Sequence, residues 1–208
     1  MLNIVVLVSG GGSNLQALID AQKDEILKSG KIVKVIADRE AYAKTRAEEN
    51  NIPFEQVTRK DYSNKEDFCD ELANRIEKEN ADLIVLAGFL SILTEKFTKK
   101  FENKIINVHP SLIPSFCGDG MYGLKVHEAA LNKGVKVTGA TVHFVNAITD
   151  GGAIILQKAV EVKNEDTPEI LQKRVMREAE WKLLPLACEY FCSGRLEIDG
   201  KVVKIKEN

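Results

Sequence analysis

No stretch near the N-terminus is apolar for long enough to cross a bilayer: the run from Ile4 to Val8 falls far short of the roughly 20 residues that a spanning helix needs. The basic segment and small-residue cleavage site of a secretory leader are lacking too. A soluble, cytoplasmic protein with no membrane partner is expected. Cysteine is scarce, at Cys69, Cys117, Cys188 and Cys192. Cys188 and Cys192 lie one helical turn apart and the others are isolated, which is neither a disulfide framework nor a zinc spacing. Free thiols in a reducing compartment are expected, and no metal. Charge of one sign is also missing, because 29 Lys and Arg face 31 Asp and Glu for a net charge of -2. That removes the basic excess that drives nucleic-acid binding. There are no repeats, no low-complexity segment and no Pro/Gly-rich linker. A chain of 208 residues that is 44% hydrophobic is enough for one substantial domain.

What is present is an alternation of apolar runs and helical patterns. Residues 3–9, 31–38, 82–88 and 104–108 are short apolar runs, as expected of strands buried on both faces. Pro53 and Phe54 open a brief strand between the second and third of these. Leu15, Leu18, Ile19 and Ile26 recur at helical spacing. Further helices are expected around 41–49, 64–79 and 91–99. This rhythm predicts an α/β fold, Rossmann-like, with a mostly parallel sheet and helices on both faces. Residues 136–145 and 153–162 then alternate with only a short link, which predicts antiparallel strands added in the C-terminal part. Thr167 and Pro168 mark the start of a long helix, which Pro185 is expected to kink late. Residues 195–205 read as a hairpin turning at Asp199-Gly200.

Two segments carry chemistry. In "VLVSGGGSNLQALI" (6–19) a strand passes through Gly10, Gly11 and Gly12 into a helix that starts at Ser13 and Asn14. A helix N-terminus offers unpaired N–H groups and a positive dipole end, and glycines let an anion reach them. The dinucleotide fingerprint fits only in part, since Leu15 stands where its third glycine belongs. A phosphomonoester suits the loop better, and a tight turn with purely steric glycines uses the same residues. In "NKIINVHPSLIPSFCGDG" (103–120), Asn107 and His109 point the same way at the carboxyl end of a strand. That sets a neutral donor beside a side chain that titrates near neutrality. Asp150, in a glycine-containing loop, is the candidate carboxylate that fixes the imidazole's tautomer and favours its charged form. His143 is a candidate for the same cleft, and His127 is expected on an exposed helix face.

Together with "LIVLAGFLSIL", "VTGATVHFV" and "TDGGAIILQKAVEV", these segments resemble the phosphoribosylglycinamide formyltransferase family, folate-dependent enzymes of de novo purine (IMP) biosynthesis. The resemblance runs from residue 3 to about residue 196. It implies transfer of a formyl group from 10-formyltetrahydrofolate, a co-substrate, to the amine of 5-phosphoribosylglycinamide, with no metal. It implies Asn107, His109 and Asp150 as the catalytic trio. Gly12, Ser13 and Asn14 match the substrate-phosphate loop, and Glu180 matches a glutamate at the glycinamide end. Leu90, Ile92 and Leu93 match the folate wall, which Asn107 and Asp150 complete. It implies a single domain over 1–208, with a phosphate-binding half (1–100) and a catalytic and folate-binding half (101–208). The partners implied are the two small-molecule substrates, with monomer and homodimer both open.

Attack by an amine on a formyl carbon passes through a tetrahedral oxyanion, which Asn107 and a protonated His109 suit. The chain departs from the family's pattern in places. Residues 117–126 form a longer loop, expected to act as a flap. Trp181 replaces a histidine that many members carry. Ser91 stands where some members place an arginine for the folate glutamate tail, which leaves Lys65 and Arg59 as substitute anchors. The rivals are a 10-formyltetrahydrofolate hydrolase, expected to carry a further N-terminal domain, and a non-catalytic folate- or phosphate-binding module. A methionyl-tRNA formyltransferase is disfavoured by the charge balance.

Overall fold

A computed structural model describes residues 1–207. Among them, five strands run parallel: β1 (Leu2–Val8), β2 (Gly30–Ala37), β3 (Phe54–Gln56), β4 (Leu83–Leu86) and β5 (Ile105–His109). Two longer strands, β6 (Val137–Phe144) and β7 (Ile154–Glu161), continue the sheet antiparallel. The hairpin of β8 (Leu196–Asp199) and β9 (Val202–Ile205) closes that edge. The nine-stranded order is β3-β2-β1-β4-β5-β6-β7-β9-β8. From β1 the chain winds outward to β3, then returns to β4 on the other flank. The carboxyl ends of β1 and β4 therefore border a topological switch point, where open α/β sheets bind ligands.

The continuous apolar character of β1 follows from burial on both faces. Ile4, Val6 and Val8 face a core shared with α1 (Ser13–Lys23), α6 (Pro168–Val175) and α7 (Trp181–Cys192). Val5 and Leu7 face a second core closed by α3 (Lys65–Lys78) and α4 (Glu95–Lys100). Phe68, Leu72 and Ile76 of α3 are fully buried, each contributing about 1.5–3 kcal/mol on burial. Local signals set the helix starts. Asn64 accepts from the Asp67 amide at 2.8 Å, and Thr94 and Thr167 cap the helices that follow them. Two further helices, α2 (Ala43–Glu49) and α5 (Leu124–Lys133), complete the layers.

Three expectations need correction. Ile26 is not on the buried face of α1, which ends at Lys23 and leaves Ile26 exposed. His127 is not exposed: its side chain is fully buried on α5 beside Val126. The long C-terminal helix does depart from α geometry, but not at Pro185, which lies inside α7. The departure is a π-helical turn at Met176–Glu180, upstream of the proline. Its widened register carries Glu180 inward.

Candidate active site

The period-two alternation of β5 places Asn107 and His109 on one face, and pairing with β6 sets Asn107 opposite His143 and His109 opposite Thr141. The loop after β6 brings Asp150 back in a left-handed conformation (φ 54). Its Oδ2 lies 3.4 Å from His109 Nδ1 and its Oδ1 lies 3.6 Å from His143 Nε2. The three candidate catalytic residues therefore meet. They line one cavity of about 460 Å³, whose wall includes Leu90, Ile92 and Leu93. Leu90 and Ile92 are exposed apolar side chains, a surface suited to a flat ring.

The hydrogen bonds assign the protons. His143 Nδ1–H donates to the Phe144 carbonyl at 2.8 Å, so its Nε2 accepts from the Asn107 amide at 3.2 Å. One amide N–H of Asn107 remains for a ligand. His109 Nε2–H donates to the Phe116 carbonyl at 2.9 Å, which turns Nδ1 toward Asp150. The expectation of a charged His109 is not met. Burial holds its imidazole below the ordinary value, outweighing the Asp150 carboxylate that favours the charged form. Burial also acts to raise the Asp150 carboxyl, but the neighbouring His143 ring, the hydrogen bond from the Gly118 amide and the His109 ring leave it below the ordinary value. The result is a neutral imidazole beside an ionised carboxylate.

The flap lies over this cluster. Phe116 and Gly118 contact His109 and Asp150 through backbone atoms, Asp119 accepts from Thr149 at 2.9 Å, and residues 118–123 line the cavity. Behind it, Thr141 Oγ1 donates to the Ser111 carbonyl at 2.7 Å and steadies the loop after β5. These backbone contacts left no side-chain signature in the sequence. Thr138 is buried elsewhere and does not line the cavity.

Gly12, Ser13, Asn14 and Glu180 form a second cluster, outside the lining of that cavity. Asn14 Nδ2 donates to Glu180 Oε2 at 2.8 Å, and Asn14 Oδ1 is buried without a partner. Burial in the π-helical turn pushes the Glu180 carboxyl up to about 7, partly offset by the bond from Asn14. Gly12 caps α1 at φ 70, and a Cβ there would stand 2.8 Å from the Ala43 Cβ. Cβ atoms at Gly10 and Gly11 would meet nothing within 4 Å. Packing explains Gly12, whereas Gly10 and Gly11 face open space. Ser9 joins the two clusters, because its Oγ accepts from the Leu90 amide at 2.8 Å. Neither Lys65 nor Arg59 lines the cavity, whereas Arg39, which the sequence reading passed over, does. Among the described residues no group of three or more His, Cys, Asp or Glu side chains is arranged to hold a metal ion. No helix among them is long and apolar enough to cross a membrane.

Fold and site together define a doubly wound α/β protein with a donor–imidazole–carboxylate cluster in a cleft at the carboxyl ends of its strands. The sequence profile of the formyl transferase family matches residues 2–188, and the chain belongs to that family. It is 41% identical to the phosphoribosylglycinamide formyltransferase of Haemophilus influenzae, over 98% of this chain and 96% of the relative. It is 42% identical to the human trifunctional purine biosynthetic protein adenosine-3, over 98% of this chain but 20% of that protein. Among solved structures, glycinamide ribonucleotide transformylase 1 from Symbiobacterium toebii superposes with a TM-score of 0.93 at 39% identity, covering 100% of this chain and 95% of that one.

Proposed function

We propose that the chain transfers the formyl group of 10-formyltetrahydrofolate to the primary amine of 5-phosphoribosylglycinamide, in the cytoplasm, as a step of purine biosynthesis. The observation that carries this reading is the convergence of Asn107, His109 and Asp150 in one apolar-walled cavity. The chain acts as a single domain. Its first half supplies the phosphate loop, its second half supplies the catalytic trio, and the wall at Leu90–Leu93 receives the folate. The partners are these two small molecules, with no role for nucleic acid or membrane.

The amine lone pair attacks the formyl carbon, and the carbonyl electrons move to oxygen. The free N–H of Asn107 donates to that oxyanion. The nitrogen of the adduct is now an ammonium and must lose a proton, while the folate N10 must gain one before it can leave. His109 Nδ1 faces Asp150 with its lone pair free, so a proton placed there is held between two favourable partners. Asp150 stabilises the transient imidazolium, which returns the proton to N10. The C–N10 bond then breaks, giving the formylated amide and tetrahydrofolate. At the other end, the amides at the start of α1 hold the phosphate through Gly12, Ser13 and Asn14, and Glu180 meets the glycinamide.

The test is to incubate the purified chain with 10-formyltetrahydrofolate, with and without 5-phosphoribosylglycinamide, and to follow folate absorbance. Turnover that needs the ribosyl phosphate and is lost in His109→Ala supports the transferase. Turnover without the amine supports the hydrolase. Saturable folate binding without turnover supports the binding module.

A further inference from the structure

Arg39 stands directly after β2, at the border of the cavity and next in sequence to a carboxylate with no solvent exposure. Its Nε and Nη2 donate to the two oxygens of Asp38 at 2.9 and 3.0 Å. Asp38 also accepts from the Ser91 hydroxyl, in the loop that carries Leu90 and Ile92. A buried carboxylate thus grips one edge of the guanidinium and fixes its plane. The Arg39 side chain is nevertheless 49% exposed, and the edge formed by Nη1 and the second Nη2 hydrogen has no partner among these bonds. A planar cation held by one edge with the other presented is preorganised for bidentate contact with an oxyanion.

Its neighbours make the position selective. Arg39 is the only lysine or arginine among the cavity-lining residues. The two acidic side chains of the lining, Asp119 and Asp150, belong to the loops over the reacting groups. A ligand with one flat, uncharged end and one anionic end is therefore oriented by charge, with its anionic end away from those carboxylates. A reduced folate has that shape, because its ring and N10 are uncharged and its far end is a glutamate with two carboxylates.

We propose that Arg39, held by Asp38, which Ser91 anchors in turn, is the specificity-determining residue that receives a carboxylate of the folate's glutamate tail. This rests on the formyl-transfer reading. Asp38 neutralises part of the cation's field and the site is half open, so the gain is modest.

The experiment compares wild type, Arg39→Met and Arg39→Lys on 10-formyltetrahydrofolate and on 10-formyltetrahydropteroate, which lacks the glutamate. Equilibrium binding of tetrahydrofolate and tetrahydropteroate is measured in parallel. Loss of one charge-assisted contact at a half-exposed site is expected to lower kcat/KM for the tailed substrate by about tenfold in Arg39→Met. The tailless substrate should change by less than about twofold, and Arg39→Lys, which keeps the charge but not the fork, should fall between. Equal losses on both substrates would show that Arg39 only supports the fold of the loop, and would overturn the proposal. A wild type that does not prefer the tailed compound in either assay would overturn it as well. A tail preference in binding that depends on Arg39, without any transfer, would uphold this site and sink the formyl-transfer reading instead.

Discussion

At the scale of single residues, the chemistry rests on which of two opposing effects sets the proton on His109. Burial outweighs the attraction of Asp150, so the imidazole is neutral and titrates below its ordinary value. Asp150→Asn removes the term that favours the charge. The His109 titration, read from its imidazole NMR signals, should move to still lower pH. Transfer should fall by about 100-fold or more, since the proton leaving the amine loses its resting place. An unchanged His109 titration in that variant would mean that the carboxylate does not act on the imidazole. A strand's period of two made Asn107 and His109 legible as a pair before any coordinates, and the glycines beside Asp150 marked a loop able to return to them. His127 was misread because a polar residue on an amphipathic helix defaults to the wet face, and only tertiary packing buries it. Arg39 was passed over because its role depends on Ser91 and the cavity wall, more than 50 positions away in the chain.

At the scale of elements, the glycine loop separates packing from binding within one turn. Gly12→Ala places a methyl group against Ala43 in a left-handed backbone, and should cost about 1–3 kcal/mol of stability in urea unfolding. Gly10→Ala meets open space. It should change stability by no more than about 0.5 kcal/mol while raising KM for the ribonucleotide, because its methyl group enters the volume assigned to the phosphate. A Gly10→Ala protein with unchanged KM would remove the phosphate from that loop. Strand-to-helix punctuation was readable here, and so was the start of α6, where Thr167 accepts from the Ile170 amide. The π-helical turn was not. It adds one residue to a turn without changing which residue types suit a helix, so apolar periodicity passes over it. Pro185 drew attention as the known helix breaker, although the widened register at Met176–Glu180 is what carries Glu180 to Asn14.

At the scale of the whole molecule, two buried groups far apart in the chain pull the pH dependence of folding in opposite directions. Burial lowers His127 to about 4 from an ordinary 6.5. Between those values the unfolded chain holds the proton more tightly, so stability is lost as pH falls, by about 3 kcal/mol in all. His109, also lowered, acts in the same direction. Burial raises Glu180 to about 7 from an ordinary 4.5. Between those values the folded chain holds the proton more tightly, so stability is lost as pH rises, again by about 3 kcal/mol. The two slopes offset each other across the mildly acid range. The lowered carboxyls of Asp38, Asp150 and Asp166 give up their contribution only as pH falls below the ordinary carboxylate range. Glu180→Gln keeps a side-chain oxygen for Asn14 and removes the ionisation. It should be more stable than wild type by about 3 kcal/mol at pH 8, with the advantage shrinking to nothing below about pH 4.5. Urea unfolding of both proteins across that range is the measurement. In the variant, the acid sensitivity of His127 should emerge as a steep loss between about pH 6.5 and 4, and His127→Gln in the same background should flatten it. If Glu180→Gln gains nothing at pH 8, the carboxylate is already accommodated when ionised. The substrate end of the site would then be an open, hydrated anion rather than the buried acid that this fold encloses.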